Sequence, residues 1–207
     1  MANNSARLYE FGYERADERF LGHGFNGVVY LARALKSDCW VAIKEINAHD
    51  DSKRWFSEVN TSFDVHGVPH TVRFIKSFYD PVAQRGNLVF EFCEGGDLHK
   101  LLKARLQLPN FVPLPETVLR LWATQMLTVL AHTEIQQLLH RDISLRNIFL
   151  CDSKDLGKGI KLGDFGLAEI AGSFSAPMSK GWSVCKSPEK LASPASDVWS
   201  LGCVLHS

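Results

Sequence analysis

His140-Arg141-Asp142-Ile143-Ser144-Leu145-Arg146-Asn147-Ile148-Phe149-Leu150 places an asparagine five residues after an aspartate and then runs into three apolar residues. An aspartate beside arginine or histidine is usually a surface ion pair, and an asparagine in a loop is usually a turn former. Downstream, Lys161-Leu162-Gly163-Asp164-Phe165-Gly166 adds a second aspartate behind a short apolar run. Asn147 and Asp164 are oxygen donors of the kind a hard cation takes together with phosphates. The joint spacing with Asp142 makes the bland readings improbable. Farther out, Gly22-x-Gly24-x-x-Gly27-x-Val29 precedes Val41-Ala42-Ile43-Lys44, while Ser187-Pro188-Glu189 and Ser196-Asp197-Val198-Trp199-Ser200-Leu201-Gly202 follow. A lone GxGxxG is weak, since glycines also serve ordinary turns. Here it leads into Val28-Val29-Tyr30-Leu31, a strand pattern, which suits a hairpin over phosphates better than a turn opening into a helix.

Taken in order, the glycine segment, Val41–Lys44, His140–Asn147, Asp164–Gly166 and Ser187–Glu189 resemble the signature segments of a eukaryotic protein kinase. His140–Leu150, Phe92-Cys93-Glu94-Gly95-Gly96-Asp97-Leu98 and Lys161–Gly166 are especially similar to the NIMA-related serine/threonine kinases. The resemblance runs from about Leu21 to the last residue. It implies transfer of the γ-phosphoryl group of ATP to a protein hydroxyl, with Mg²⁺ as the metal. Asp142 would be the catalytic base, and Asn147 and Asp164 the metal ligands. Lys44 would hold the α- and β-phosphates with Glu58 as its partner. Leu21, Gly22, Gly24 and Gly27 would cover the nucleotide, with Val29 and Ala42 above the adenine ring and Phe149 below it. Backbone groups of Glu91 and Cys93 would meet the adenine edge, Asp97 the ribose, and Phe90 would limit the depth of the pocket. His140 and Phe165 would pack in an apolar column, and Asp197 would hold the backbone of the catalytic loop. Arg141 would receive a phosphorylated activation segment, with Ser173, Ser175 and Ser179 as candidate acceptors and an upstream kinase as partner.

Three positions depart from that pattern. Kinases carry an aromatic residue just before the third glycine, where this chain has Asn26, with Phe25 one earlier. Serine/threonine kinases carry lysine two residues after the catalytic aspartate, and here that position is Ser144. Arg146, four residues after Asp142, matches the substitute arginine of tyrosine kinases. The usual Gly-Thr before Ser187-Pro188-Glu189 is Gly181-Trp182. Removing a preorganised donor of this kind costs about 3–4 kcal/mol. The alternative to an active serine/threonine kinase is therefore a nucleotide-binding pseudokinase, or an inactive fragment acting as an interaction module. A complete kinase continues beyond the central helix that Ser196–Gly202 opens. The resemblance thus reads the large lobe as incomplete, with Val198, Trp199, Leu201 and Val204 partly uncovered and Glu189 buried without its arginine.

Composition agrees with an ordinary globular chain of 207 residues, 45% hydrophobic and 22% charged. Formal net charge is zero, so no basic field points to nucleic acid or an anionic membrane. No apolar run is long enough to span a bilayer, and Met1–Arg7 lacks a signal-peptide core. The cysteines, Cys39, Cys93, Cys151, Cys185 and Cys203, are odd in number and widely spaced. A reduced, intracellular chain is expected, cytoplasmic rather than nuclear. His66 and His70 have the spacing of helical metal ligands, but Gly67 and Pro69 between them predict a turn. Short β-rich runs (Val28–Leu31, Trp40–Ile43, Val72–Ile75, Leu88–Phe90) come first, interrupted by a helix near Lys53–Val65. After Gly95-Gly96 the pattern is helical, with Leu119, Trp122, Ala123, Met126, Leu127 and Leu130 on one face of a helix opened by Pro115. Lys103–Pro115, with three prolines, reads as a loop. The expected fold is α+β and two-lobed. Residues 1–20 form an N-terminal extension, 21–92 a β-rich small lobe, and 93–207 a mainly helical large lobe.

Overall fold

The short apolar, β-branched runs in Gly27–Ala34 and Cys39–Asn47 bury Tyr30, Leu31, Ala32, Val41, Ile43 and Ile46 and form two neighbouring strands. In the computed structural model, which describes residues 8–24, 27–47, 52–110, 112–170, 185–189 and 192–207, the chain forms two compact units. The first comprises the described residues through Phe63 together with Arg73–Phe92; the second comprises Asp64–Val72 and the described residues from Cys93 onward.

The first unit is an antiparallel sheet of β1 (Tyr13–Gly24), β2 (Gly27–Ala34), β3 (Cys39–Asn47), β4 (Phe74–Asp80) and β5 (Arg85–Glu91) in the order β1-β2-β3-β5-β4. Helix α1 (Ser52–Asp64) lies between β3 and β4 in sequence. One face of the sheet packs Tyr13, Tyr30, Ala32, Val41, Ile43 and Val89. Ile46, Phe74 and Leu88 pack with Val59 of α1. The sheet starts earlier than expected. Tyr13–Phe20 of the anticipated extension is strand, Leu8 and Tyr13 are buried, and Phe11 stacks on Phe78 with ring centroids 4.4 Å apart. The alternation is hard to see in Glu14-Arg15-Ala16-Asp17-Glu18 because β1 is an edge strand, and its pairing with β2 is interrupted between Arg15 and Phe20.

The second unit is built on α2 (Leu98–Leu106), α3 (Glu116–Ile135) and α4 (Pro194–His206). Two small ladders complete it. One pairs β6 (Leu138–Leu139) with β9 (Glu169–Ile170), and the other pairs β7 (Ile148–Leu150) with β8 (Ile160–Leu162). Their core joins Trp122, Met126 and Val129 of α3 to Ile148, Leu162, Phe165, Leu201 and Val204. The apolar face of α3 is turned from the expected one. Leu127 is exposed, while Gln125 is buried because its side-chain oxygen accepts the Ile160 N–H at 2.9 Å. Lys103–Leu106 is helical rather than loop, with Lys103 and Arg105 in the last turn, where cations suit the helix dipole. Pro115 caps α3 instead of standing within it.

Ser193 and Ser196 form a capping box at the start of α4, with Pro194 in its first turn. Of the four residues expected to be uncovered, Val198 and Trp199 are half exposed, but Leu201 and Val204 are buried. The correction follows from helical spacing, which puts those two on the face toward α3 and the core. Glu189 is also exposed rather than buried. His66 and His70 lie in a turn, and no disulfide links the five cysteines.

Candidate active site

In the first unit the site is built across β2 and β3. Val29 is paired with Lys44 and Leu31 with Ala42, so Val29, Ala42 and Lys44 share one face of the sheet. Gly22 is paired with Val29. A side chain at Gly22 would meet nothing within 4 Å, whereas one at Gly27 would run into the Glu45 carbonyl. Gly27 is thus demanded by close backbone approach. Lys44 and Glu58 are each 3% exposed, and Nζ stands 2.5 Å from Oε1. Burial removes water from both charges, which makes each dependent on the other. Leu21 and Phe90 are partly buried, and Phe90 meets Phe74 edge-on at 5.7 Å. The Glu91 carboxylate accepts the Arg73 N–H at 2.8 Å.

In the second unit the loop from His140 to Asn147 is pinned from three sides. Asp197 on α4 accepts the backbone N–H of His140 at 2.7 Å and that of Arg141 at 2.9 Å. Burial pushes its carboxyl above the usual carboxylate range, against the pull of these donors. The Asp142 N–H donates to His140 Nδ1 at 3.2 Å, so Nδ1 is an acceptor and the ring proton sits on Nε2. Nε2 in turn donates to the Gly163 carbonyl at 3.0 Å, and the ring meets Phe165 edge-on at 4.6 Å. The Arg141 guanidinium pairs with Glu169 of β9. Arg141 and Asp164 adopt φ of 67° and 54°, a region costing about 1–3 kcal/mol for side chains of this kind and kept only where neighbours over-determine it.

Asn147 brings the loop together. Its amide nitrogen donates at 2.8 Å to both the backbone carbonyl and Oδ2 of Asp142. Its backbone carbonyl accepts the Gly163 N–H at 2.8 Å, tying the loop to the strand that leads into Asp164. Asp164 Oδ1 accepts the Gly166 N–H at 3.3 Å. A side chain at Gly163 would stand 2.9 Å from Val72 and 3.0 Å from the Phe149 ring, so Phe149 packs directly over the backbone before Asp164. Ser144 is buried and Arg146 is exposed.

Two residues read as nucleotide contacts also have structural tasks. Asp97 caps α2, accepting the Lys100 N–H at 2.8 Å and pairing with Lys100 Nζ at 3.1 Å. The Cys93 carbonyl accepts the Gly96 N–H at 3.1 Å. Phe25, Asn26, Ser173, Ser175, Ser179, Gly181 and Trp182 lie outside the described residues. Glu169 escaped the sequence reading. Its one signal is an acidic residue three positions after Gly166, which spacing alone does not connect to Arg141.

The donor set fits Mg²⁺. With its nitrogen turned to Asp142, Asn147 would offer its amide oxygen to such an ion, and Asp164 would add a carboxylate. Among the described residues no three His, Cys, Asp or Glu side chains group as a metal site. A divalent ion here would take its remaining ligands from phosphates and water, as magnesium does.

Residues 15–207 match the protein kinase domain family. The chain is 34% identical over 194 residues to serine/threonine-protein kinase Nek5 of Mus musculus, covering 91% of this chain and 29% of that protein. It is 33% identical over 197 residues to cytokinesis protein sepH of Emericella nidulans, covering 89% and 13%. It is 30% identical over 197 residues to mitogen-activated protein kinase kinase kinase 3 of Arabidopsis thaliana, covering 90% and 31%. The chain thus spans about a third or less of the length of these relatives. The order of motifs, the catalytic-loop geometry and the family match agree: this chain belongs to the protein kinase domain family.

Proposed function

We propose that the chain is a serine/threonine kinase that transfers a phosphoryl group from Mg·ATP to a protein hydroxyl. The observation that carries this reading is the Asp142 carboxylate, held by Asn147 at 2.8 Å on a loop pinned by Asp197. Bound Mg·ATP supplies the transferable γ-phosphoryl group and neutralises its charge. Asp142 orients the substrate hydroxyl and accepts its proton as the new oxygen–phosphorus bond forms and the bond to ADP breaks. Asn147 and Asp164 present oxygens to the metal, and Lys44, steadied by Glu58, binds phosphate oxygens. Arg146 supplies the cation that Ser144 cannot, and its exposure agrees with a side chain that reaches out to substrate.

Transfer of labelled phosphate to a generic basic protein tests the reading, with Asp142→Asn as the control. The wild type should transfer and the variant should lose about a thousandfold or more. Both should melt higher with Mg·ATP, because a ligand that binds the folded state stabilises it. Equal transfer by both chains would refute Asp142 as base. A nucleotide-induced melting shift without transfer would favour the pseudokinase reading instead.

A further inference from the structure

Arg141 already has a counter-ion within the chain. Its Nη1 pairs with Glu169 Oε2, the arginine side chain being 9% exposed and the glutamate 31%. Backbone pairing creates the encounter, because Glu169 stands opposite Leu139 in the β6–β9 ladder, two residues before Arg141. The Arg141 N–H is taken by Asp197. The residue preceding Asp142 is therefore clamped at its backbone by α4 and at its side chain by β9. That double clamp sustains the left-handed φ of Arg141, and this backbone turn determines where Asp142 is aimed. A phosphoryl group arriving at the same guanidinium would bring nearly two negative charges beside the Glu169 carboxylate, where like charges repel.

We propose that Glu169 is a positioning residue for Asp142: as the permanent counter-ion of Arg141, it keeps the catalytic loop set without phosphorylation of the activation segment. The inference rests on the reading of Asp142 as catalytic base. It replaces the expectation that Arg141 waits for a phosphate installed by an upstream kinase.

The test compares wild type, Glu169→Gln and Glu169→Asp, each assayed for transfer before and after treatment with a serine/threonine phosphatase. Amide hydrogen exchange at Arg141 and Asp142 is followed in parallel. Wild-type kcat should change by less than about twofold on dephosphorylation. Glu169→Gln should lose roughly ten- to a hundredfold in kcat with KM for ATP nearly unchanged, since the loop is misplaced while nucleotide contacts persist. Glu169→Asp should recover part of that loss. A wild type that loses about tenfold with its phosphate, or a Glu169→Gln variant with unchanged kcat, overturns the proposal. If the wild type neither transfers phosphate nor gains stability from Mg·ATP, the kinase reading has failed separately. Exchange then decides the positioning role, with faster exchange in Glu169→Gln supporting it and unchanged exchange overturning it.

Discussion

Two ion pairs, one in each unit, differ in how much water they keep. Lys44–Glu58 has side chains 4% and 2% exposed, whereas Arg141–Glu169 retains 31% exposure on the glutamate. In the first pair each charge would be stranded without the other, so the pair is a condition for the β-rich unit and, on the proposed function, for phosphate binding. In the second, water reaches the Glu169 carboxylate but hardly the 9%-exposed Arg141 side chain, so solvent only partly relieves a lost partner and the pair matters chiefly for where it holds the backbone. Desolvation thus separates a pair that supports stability and function together from one whose main effect is geometric.

The largest expected effect is on the buried pair. Lys44→Met alone should destabilise the β-rich unit by about 3–5 kcal/mol, and Lys44→Met with Glu58→Leu should recover most of it. Urea denaturation followed by fluorescence measures both, and a single variant within about 1 kcal/mol of wild type would erase the contrast between the pairs.

Asp197→Asn should come next, at about 1–3 kcal/mol, because an amide cannot accept from both the His140 and the Arg141 N–H. Its pH dependence has a definite sign. Burial raises the folded carboxyl, so the associated stability is complete below the ordinary aspartate range and is lost as pH rises through the raised value. Melting temperatures across that acidic window should show the decline in wild type and a smaller one in the variant.

Glu169→Gln should cost about 1–2 kcal/mol, less than Lys44→Met, because the amide oxygen can still accept from the buried guanidinium. A loss equal to that of Lys44→Met would mean that the second pair is as desolvated as the first.

Arg146→Ala should change stability by less than about 0.5 kcal/mol, since the side chain is exposed, yet lower transfer roughly a hundredfold. Ser144→Lys should then add less than about threefold to the wild-type rate. A large gain from Ser144→Lys together with no loss from Arg146→Ala would show that Arg146 does not replace the missing lysine.

Segments with chemistry confined to a few consecutive residues were legible without coordinates. The glycine run, Val41–Lys44, His140–Asn147 and Asp164–Gly166 carry their meaning in short spacings and in an order that chance seldom produces. The α+β class was equally readable, because strand and helix periods differ and the strand-like runs come first. Where several faces compete for burial, periodicity misjudged the outcome. Leu127 continues the apolar stripe of α3 in sequence, yet Gln125 is the residue turned inward, satisfied by the Ile160 N–H. Asp97, read as a ribose contact from its place after Gly95-Gly96, also caps a helix with its carboxylate, a start that the aspartate itself signals.

By itself the sequence determined the family, the fold class and the order of the chemistry-bearing segments, since these follow from local spacing and backbone propensity. Tertiary structure alone decided that Glu169 meets Arg141 and that both members of Lys44–Glu58 are nearly dry while the Glu169 carboxylate keeps water. The reason is physical. The strength of a charge pair depends on separation and on the water left around it, and both are set by folding between residues far apart in the chain.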